Sequence, residues 1–324
     1  MMALSAKEIT THYTSSLHSL GEIAWSYYYQ GQLDGAMQLF ERGSHLLDFP
    51  EITDLDQAQF LLKYAEFLIA NYLLTNQNED LALTTIDRAQ AAARKSQDQL
   101  QQATAHYLIG QMKYYQNMHK GIQDYTEART RLQQANKLYS DLRDTEGIAQ
   151  TLFYVGLTYE REDDKQRAES HYQQALKIAR EHSHKWIISE ATRHLAGLMM
   201  QQDTDLALRY ALESLRLRSE IGFKRALPLA HFLVSDIYAL RNELDAALEQ
   251  CRQGQQLAEE MGIRSAMLNG LLTMGQIQLQ QGAFAEARTS FEAAYQLAQK
   301  TNIAFAIAAA QDSLAQLQTR VSEN

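Results

Sequence analysis

A short pattern of small and larger residues recurs seven times along the chain, at intervals of 39 to 46 residues. Each occurrence begins with an alanine and has a second small residue seven positions later, with a larger side chain between them in most cases. Positions i, i+4 and i+7 lie on one face of an α-helix, so each occurrence predicts an amphipathic helix that packs closely on a neighbour. The alanines are Ala36, Ala82, Ala128, Ala168, Ala207, Ala247 and Ala287.

The positions between and after these alanines complete the predicted helix face. The residues at plus four are Phe40, Ile86, Leu132, Tyr172, Ala211, Cys251 and Phe291. The residues at plus seven are Gly43, Ala89, Ala135, Ala175, Ser214, Gly254 and Ala294. Small residues are needed where two helix backbones approach each other, and a larger residue between them can fill a gap in the facing helix. The pattern therefore predicts one packed helix pair per repeat.

A second helical pattern precedes each alanine. It is clearest in LFYVGLTYE, where Gly156 comes twelve residues before Ala168, and LLTMGQIQLQQG repeats it around Gly275. The combined unit resembles the tetratricopeptide repeat, whose motif reads W-x2-L-G-x2-Y and then A-x3-F-x2-A. The resemblance covers the chain from about Leu20 to Ala294. No repeat has tryptophan at the first motif position, the second lacks the glycine, and the third carries the insertion NMHKGIQDY.

This resemblance implies an all-α fold, a right-handed superhelical solenoid of about seven helix-hairpin repeats with a C-terminal capping helix. We expect one solenoid over residues 1–324. The predicted repeats are about 16–50, 55–96, 98–141, 145–182, 185–221, 224–262 and 264–300, and the predicted capping helix is 303–320. Thr301 or Asn302 is the expected N-cap of that last helix, and Ser5 with Glu8 predicts a capping box at the start of the first.

Repeats of about 40 residues are similar to those of bacterial MalT-type regulators, of the Rap, NprR and PlcR peptide receptors, and of eukaryotic LGN and kinesin light chain. In such folds the first helix of each repeat lines a concave groove. Carried over from the family, motif positions five, nine and twelve predict a peptide-binding groove. Its residues are Trp25, Tyr28, Phe67, Asn71, Tyr107, Gln111, Tyr114, Phe153, Leu157, Arg193, Phe232, Asp236 and Gln276.

Aromatic rings beside amides suit an extended peptide. The rings supply contact area, and Asn or Gln can pair with a peptide backbone through both its donor and its acceptor. We expect Asn71, Gln111, Asp236 and Gln276 to contact the backbone of the bound segment. An alternative stays open for each ring, because long helices can bury aromatic side chains against their neighbours.

Composition and charge restrict the function further. The chain has only 2 prolines and a formal charge of -9, which disfavours direct binding of nucleic acid. A single cysteine cannot form an intramolecular disulfide, and the sequence shows neither a signal peptide nor a run of ~20 apolar residues that would insert into a membrane. These features predict a cytoplasmic protein.

Candidate chemistry is sparse. In EHSHKW, His182 and His184 lie near each other, but no carboxylate or cysteine spacing completes a metal site, and a polar turn accounts for the segment. Cys251 falls on the predicted packing face of a helix, which is typical of a core thiol. The sequence contains no phosphate-binding loop and no HExxH helix. We therefore predict no catalytic residues, no metal and no cofactor.

Three functions remain open at this point. The leading prediction is a noncatalytic scaffold or adaptor that holds a protein or peptide segment in the groove. The Rap and NprR resemblance implies an alternative, a signalling receptor that changes conformation when a peptide binds. The third is a phosphatase-type regulator of the Rap kind. A homodimer through the terminal helices is a further expectation, with the alanine-rich segment Ala304 to Ala310 as the contact.

Overall fold

The computed structural model describes residues 4–301 and 304–323, and the regular structure in this part of the chain is helical. Fifteen α-helices are present there. In the first half they are α1 Ala6–Tyr29, α2 Leu33–Ser44, α3 Asp54–Thr75, α4 Glu79–Ser96, α5 Gln99–Lys120, α6 Thr126–Leu142, α7 Thr145–Arg161 and α8 Lys165–Glu181. They continue with α9 Lys185–Met199, α10 Thr204–Glu220, α11 Leu227–Leu240, α12 Leu244–Glu260, α13 Arg264–Gln280, α14 Phe284–Thr301 and α15 Ala304–Glu323.

Consecutive helices pack as hairpins. The pairs α1 and α2, α3 and α4, α5 and α6, α7 and α8, α11 and α12, and α13 and α14 each form one hairpin. The end of α9 packs on α10 through Ala196, Met199, Ala207 and Ala211, which share one apolar cluster. The last helix, α15, packs on α14. These pairs confirm the all-α class and the seven helix-hairpin repeats followed by one more helix.

The recurring small residues form the interior of the hairpins. All seven alanines that begin the pattern are fully buried, and each lies in the second helix of its pair. The residues four and seven positions later are buried as well. The sequence pattern therefore identified the packing face of the second helices.

In three repeats the large residue of the second helix lies against a glycine of the first. A methyl group on Gly156 would lie 2.6 Å from Tyr172, and one on Gly110 would lie 2.8 Å from Leu132. In the sixth repeat Ser235 has the equivalent position, and its hydroxyl donates to the carbonyl of Ala247 at 2.8 Å. The first helix thus requires a small residue at this position, because the large side chain of the second helix fills the space beside it.

The turns between helices rely on left-handed backbone conformations. Gly31 (φ 86), Gly121 (φ 67) and Gly282 (φ 75) close hairpins, and Gly222 and Gly262 connect one hairpin to the next. A residue without Cβ adopts this conformation at no steric cost. Asn242 (φ 60) serves in the sixth repeat, where asparagine is among the better tolerated alternatives.

The irregular repeats have a simple cause. The helices α3 and α5 are each 22 residues long, whereas α7 and α13 are each 17 residues long. This extra length accounts for the wider spacing of the first alanines. Much of the insertion NMHKGIQDY continues α5 as far as Lys120, and the rest forms the turn that begins with Gly121.

Both ends of the chain have identifiable contacts. Ser5 and Glu8 form the predicted capping box, so α1 begins ten residues before the predicted first repeat. The expected N-cap of α15 lies outside the described residues or their described side chains. Ala306 and Ala310 are buried, and Ala306 packs with Leu268 and Ala298. These two alanines therefore contribute to the core, and the homodimer expected through the terminal helices stays a prediction.

The contacts within the chain divide it into two compact units, the first ending at Ala191 and the second beginning at Thr192. The N-terminal unit contains α1 to α8 and the first half of α9. The C-terminal unit contains the rest of α9 and α10 to α15. Each unit is described by itself below.

Candidate functional site

The first helices of the first three hairpins enclose a cavity of about 480 Å³ in the N-terminal unit, here called the N-terminal cavity. Its walls come from α1, α3 and α5, three first helices in succession. The lining residues are Thr14, Leu17, His18, Asp56, Gln59, Phe60, Leu62, Lys63, Glu66, Gln101 and Thr104. The cavity therefore combines an apolar wall with amides, hydroxyls and charged groups.

Local structure fixes the polar side of this cavity. Thr53 caps α3 and exchanges hydrogen bonds with Asp56, so the Asp56 carboxylate is engaged at the helix end. Lys63 forms an ion pair with Glu22 of α1. A methyl group on Gly21 would lie 2.9 Å from Cδ of Lys63, so the glycine gives the lysine stem room to lie against α1.

Glu66 has a different environment from the other charged residues of the cavity. Burial raises the pKa of its carboxyl from 4.5 to about 7, the charge of Lys63 lowers that pKa, and the charge of Glu146 raises it. Within the described residues its carboxylate has no hydrogen bond or ion pair. Near neutral pH this group is therefore poised between its neutral and ionised forms.

A chain of buried polar side chains links α5 and α7. The Gln111 amide donates to the hydroxyls of Tyr107 and Tyr154, and the hydroxyls of Tyr154 and Tyr115 lie 3.0 Å apart. Burial raises the pKa of all three tyrosines well above the usual value, so they stay protonated. The side-chain carbonyl oxygens of Gln111 (Oε1) and Asn71 (Oδ1) are buried without a hydrogen-bond partner.

The C-terminal unit has a cavity of its own, about 360 Å³ in volume, here called the C-terminal cavity. It is lined by Met200, Gln201, Asp236, Ala239, Leu240, Thr273, Gln276, Ile277 and Gln280. Asp236 is accessible at the cavity wall, yet the surrounding helices displace enough water to raise its pKa from 3.8 to about 6. A second cavity of about 1060 Å³ shares Gln276 and Gln280 and reaches Gln316 of α15.

Three sequence segments match family models described as tetratricopeptide repeat. The matches cover residues 117–181, 16–43 and 268–301, which include parts of the third hairpin and most of the first, fourth and seventh. These segments resemble tetratricopeptide repeats, and the described helices have the hairpin fold of such repeats. A search of curated proteins found no match.

Solved structures with this repeat fold are similar to the chain over most of its length. One is a signal transduction ATPase with numerous domains from Pyrococcus horikoshii, which has a tetratricopeptide repeat sensor (TM-score 0.61, 16% identity, 97% of this chain). The match spans only 45% of that protein. A Rap protein complexed with competence and sporulation factor has a TM-score of 0.63 at 14% identity, with 96% of this chain and 88% of that one covered.

A third similar structure is NprR in complex with its cognate peptide NprX, with a TM-score of 0.53 and 14% identity. It covers 93% of this chain and 82% of the NprR chain. At these identities the likeness concerns the fold. It agrees with the hairpin pattern that the tetratricopeptide motif predicts.

Most of the aromatic residues predicted to line the groove are core residues of this tetratricopeptide fold. The buried aromatic and aliphatic members of the predicted set are Tyr28, Phe67, Tyr107, Tyr114, Phe153, Leu157 and Phe232, none more than 5% exposed. Some of their rings pack between neighbouring hairpins and some within one: the ring centroids of Phe67 in α3 and Phe40 in α2 lie 5.1 Å apart, and those of Phe153 in α7 and Tyr172 in α8 lie 5.6 Å apart. These side chains are not a surface in this structure.

The motif itself accounts for this correction. Position five of the repeat lies one turn before the small residue at position eight, so both lie on the same helix face. Gly156 faces Tyr172 of the second helix, and Phe153 therefore faces it too. In the fourth repeat the second helix of the hairpin therefore covers position five.

The remaining predicted residues have diverse surroundings. Trp25 is half-buried, with its ring centroid 5.1 Å from that of Tyr28 in an edge-to-face arrangement. Arg193 is half-buried in contact with His194. Asn71 and Gln111 are buried. Asp236 and Gln276 are exposed, and both line the C-terminal cavity. The structure thus brings these two members of the predicted set together.

The sequence prediction missed Lys63 and Glu66, which line the N-terminal cavity. A usable signal was present: the two charges interrupt the otherwise apolar segment LLKYAEFLIA in the middle of a helix. Charged residues are rarely placed inside such a helix without a partner. Neither residue lies at motif position five, nine or twelve, from which the predicted set was taken.

The part of the chain that the structure describes was compared with the requirements of a metal site and of a membrane-spanning helix. No three histidine, cysteine, aspartate or glutamate side chains converge there in an arrangement that could hold a metal ion. None of the helices there is long and apolar enough to cross a bilayer.

Proposed function

We propose that this chain is a noncatalytic binding scaffold that holds an extended segment of a protein partner along the first helices of its repeats. The observation that carries the proposal is that the first helices of both units leave cavities with an apolar wall and free amide groups. The amides are those of Gln59, Gln101, Gln276 and Gln280, which make no side-chain hydrogen bond within the described residues.

Unpaired amides suit a polypeptide ligand. A glutamine side chain offers a carbonyl acceptor and two N–H donors, which match the donor and acceptor of each peptide unit. The apolar side chains beside them, such as Leu17 and Phe60 in one unit and Ile277 in the other, can cover the side chains of a bound segment. The overall composition of both cavities therefore favours a neutral or basic segment over an acidic one.

Proteins of similar fold support the same interpretation. NprR binds its cognate peptide NprX, and a Rap protein has been solved with competence and sporulation factor. A regulator that changes conformation on binding a peptide is accordingly our second candidate. Small-angle scattering of the chain with and without a captured segment distinguishes this candidate from a passive scaffold.

A noncatalytic role agrees with the state of the single cysteine. Burial raises the pKa of the Cys251 thiol to about 12, and the thiol donates to the carbonyl of Gly270. A buried, protonated thiol is a poor nucleophile. We also propose a reducing, cytoplasmic location, in which such a thiol stays reduced.

The binding proposal is tested by panning a displayed library of random peptides against the full chain. We expect enriched peptides whose affinity falls at least tenfold in the variants Gln59→Ala with Gln101→Ala, or Asp236→Ala with Gln276→Ala. The matched controls Gln174→Ala and Gln253→Ala, on exposed positions of second helices, should bind like the wild type. Enrichment of no peptide, or equal loss in the controls, contradicts the proposal.

A further inference from the structure

The N-terminal cavity carries one carboxylate, that of Glu66, which forms no ion pair within the described residues. Three acidic side chains lie near one another in this part of the unit, since the charge of Glu146 acts on Glu66 and Glu22 adjoins Lys63. The single lysine among them is engaged by Glu22. A further positive charge in the cavity could therefore pair with the Glu66 carboxylate.

The other walls favour a particular kind of cation. Leu17, Phe60 and Leu62 form an apolar side, which suits a long aliphatic stem. Gln59 and Gln101 add two amide groups whose carbonyl oxygens are free to accept. A primary ammonium has three donors and no acceptor, so one carboxylate and two carbonyls can satisfy it.

We propose that the N-terminal cavity is a specificity pocket that receives a lysine side chain of the bound partner, with its ammonium on the Glu66 carboxylate. This inference rests on the proposed binding function and deepens it, because it states which residue the partner must supply. A volume of about 480 Å³ accommodates a lysine side chain with bridging water.

Binding in this pocket should depend on pH. Burial, opposed by Lys63 and assisted by Glu146, raises the pKa of Glu66 to about 7 in the free protein. The ionised fraction therefore changes about tenfold between pH 6 and pH 8, and affinity for a cation should follow it. The other titratable or charged groups that face this region are His18, Glu22 and Tyr29 of α1, Asp56 and Lys63 of α3, Tyr107 of α5, Tyr139 of α6 and Glu146 of α7.

Ligand-observed NMR on the full chain tests the pocket with single-residue probes. Nα-acetyl-lysine methylamide should bind at pH 8, and Nα-acetyl-norleucine methylamide, which has a similar stem without the charge, should not. Glu66→Gln should weaken the lysine probe at least tenfold and remove the pH dependence. Glu292→Gln, which removes an exposed carboxylate from the second helix α14, should leave both unchanged.

Two further variants separate the role of Glu66 from the roles of its neighbours in the cavity. His18→Gln should keep the pH dependence, because the proposal assigns that dependence to Glu66 and not to the histidine that lines the same cavity. Gln59→Leu tests the pocket without altering its charge and should weaken the lysine probe. Circular dichroism of each variant confirms that it is folded.

Equal binding of the norleucine probe, unchanged binding in Glu66→Gln, or preference for the arginine analogue or for a free α-amine overturns the proposal. The result is separable from the binding function. Displayed peptides that bind without any need for lysine or Glu66 contradict the pocket only. A lysine probe that binds Glu66 while no peptide is enriched contradicts only the scaffold.

Discussion

A methyl group on Gly275 would lie 2.5 Å from Cε1 of Phe291, whose ring is fully buried inside the seventh hairpin. The glycine belongs to the first helix, and the phenylalanine is the large residue of the second. Gly275→Ala should therefore destabilise the protein by about 1–3 kcal/mol, although alanine is the better helix former. Urea unfolding monitored by circular dichroism measures the change.

Gly197 provides the matched control for this substitution. It lies in α9 within the same unit, is exposed, and has no heavy atom within 4 Å of the position a Cβ would take. Gly197→Ala should be neutral or stabilising by up to about 1 kcal/mol, because only helix propensity changes. If both variants shift stability in the same direction, the close contact at Gly275 does not govern packing.

The neutral form of Glu66 should contribute to stability at low pH. Burial raises its pKa from 4.5 in the unfolded chain to about 7, so the folded protein retains a proton that the unfolded chain has lost. This stabilisation is complete below pH 4.5 and disappears as the pH rises through 7. Relative to wild type, Glu66→Gln should gain roughly 1–3 kcal/mol between pH 5 and pH 8.

Glu8 supplies the comparison for that pH series. Its hydrogen bonds with Ser5 lower the pKa of its carboxyl, so any contribution from ionised Glu8 is constant above pH 5 and is lost only as the pH falls. Glu8→Gln should differ from wild type by the same amount at pH 5 and pH 8. A parallel shift in both variants would show that the response is not specific to Glu66.

The hydroxyl of Tyr154 holds together the polar chain between α5 and α7. It accepts from the Gln111 amide and lies 3.0 Å from the Tyr115 hydroxyl. Tyr154→Phe leaves the buried Tyr115 hydroxyl without this partner and the Gln111 amide with only its bond to Tyr107, and should cost about 1–3 kcal/mol in thermal or urea unfolding. Tyr107→Phe removes one longer contact of 3.3 Å, so its smaller cost serves as the internal standard.

The start of α7 depends on one side chain. Asp144 accepts from the backbone N–H groups of Glu146 and Gly147, each at 3.1 Å. Asp144→Ala should lower stability by about 1 kcal/mol and increase amide exchange in the first turn of the helix. Asp141→Ala, at an exposed helical position nearby, should stay within about 0.5 kcal/mol of wild type. Equal effects would rule out a capping role.

The buried faces of the hairpins could be predicted from the sequence because the residues that form them lie close together along the chain. The alanine of each second helix and the small residue seven positions later lie on one face, and all of them are buried. The capping box of Ser5 was equally readable, since its partners are three residues apart. Contacts within one helix or one hairpin leave a fixed spacing in the sequence.

The candidate site was harder to predict from the sequence than the hairpin interiors were. Asp236 and Gln276 were named from the motif and do line a cavity, but the stripe of Phe67, Phe153 and Phe232 lies in the core. The motif specifies a position along a helix, whereas exposure depends on the side chains of other helices at the same level. For Glu66, those neighbours also set the pKa.

By itself, the sequence determined that the chain is helical, that the helices pair, and which residues the two helices of a hairpin press together. Period and residue size are sufficient for that, because the partners are close along the chain. Only the tertiary structure decided which first-helix side chains stay accessible and which carboxylate is deprived of water. Both depend on the way α1, α3 and α5 surround one cavity. The side chains that line it are some 40 residues apart from one helix to the next, and no fixed spacing in the sequence indicates that they come together.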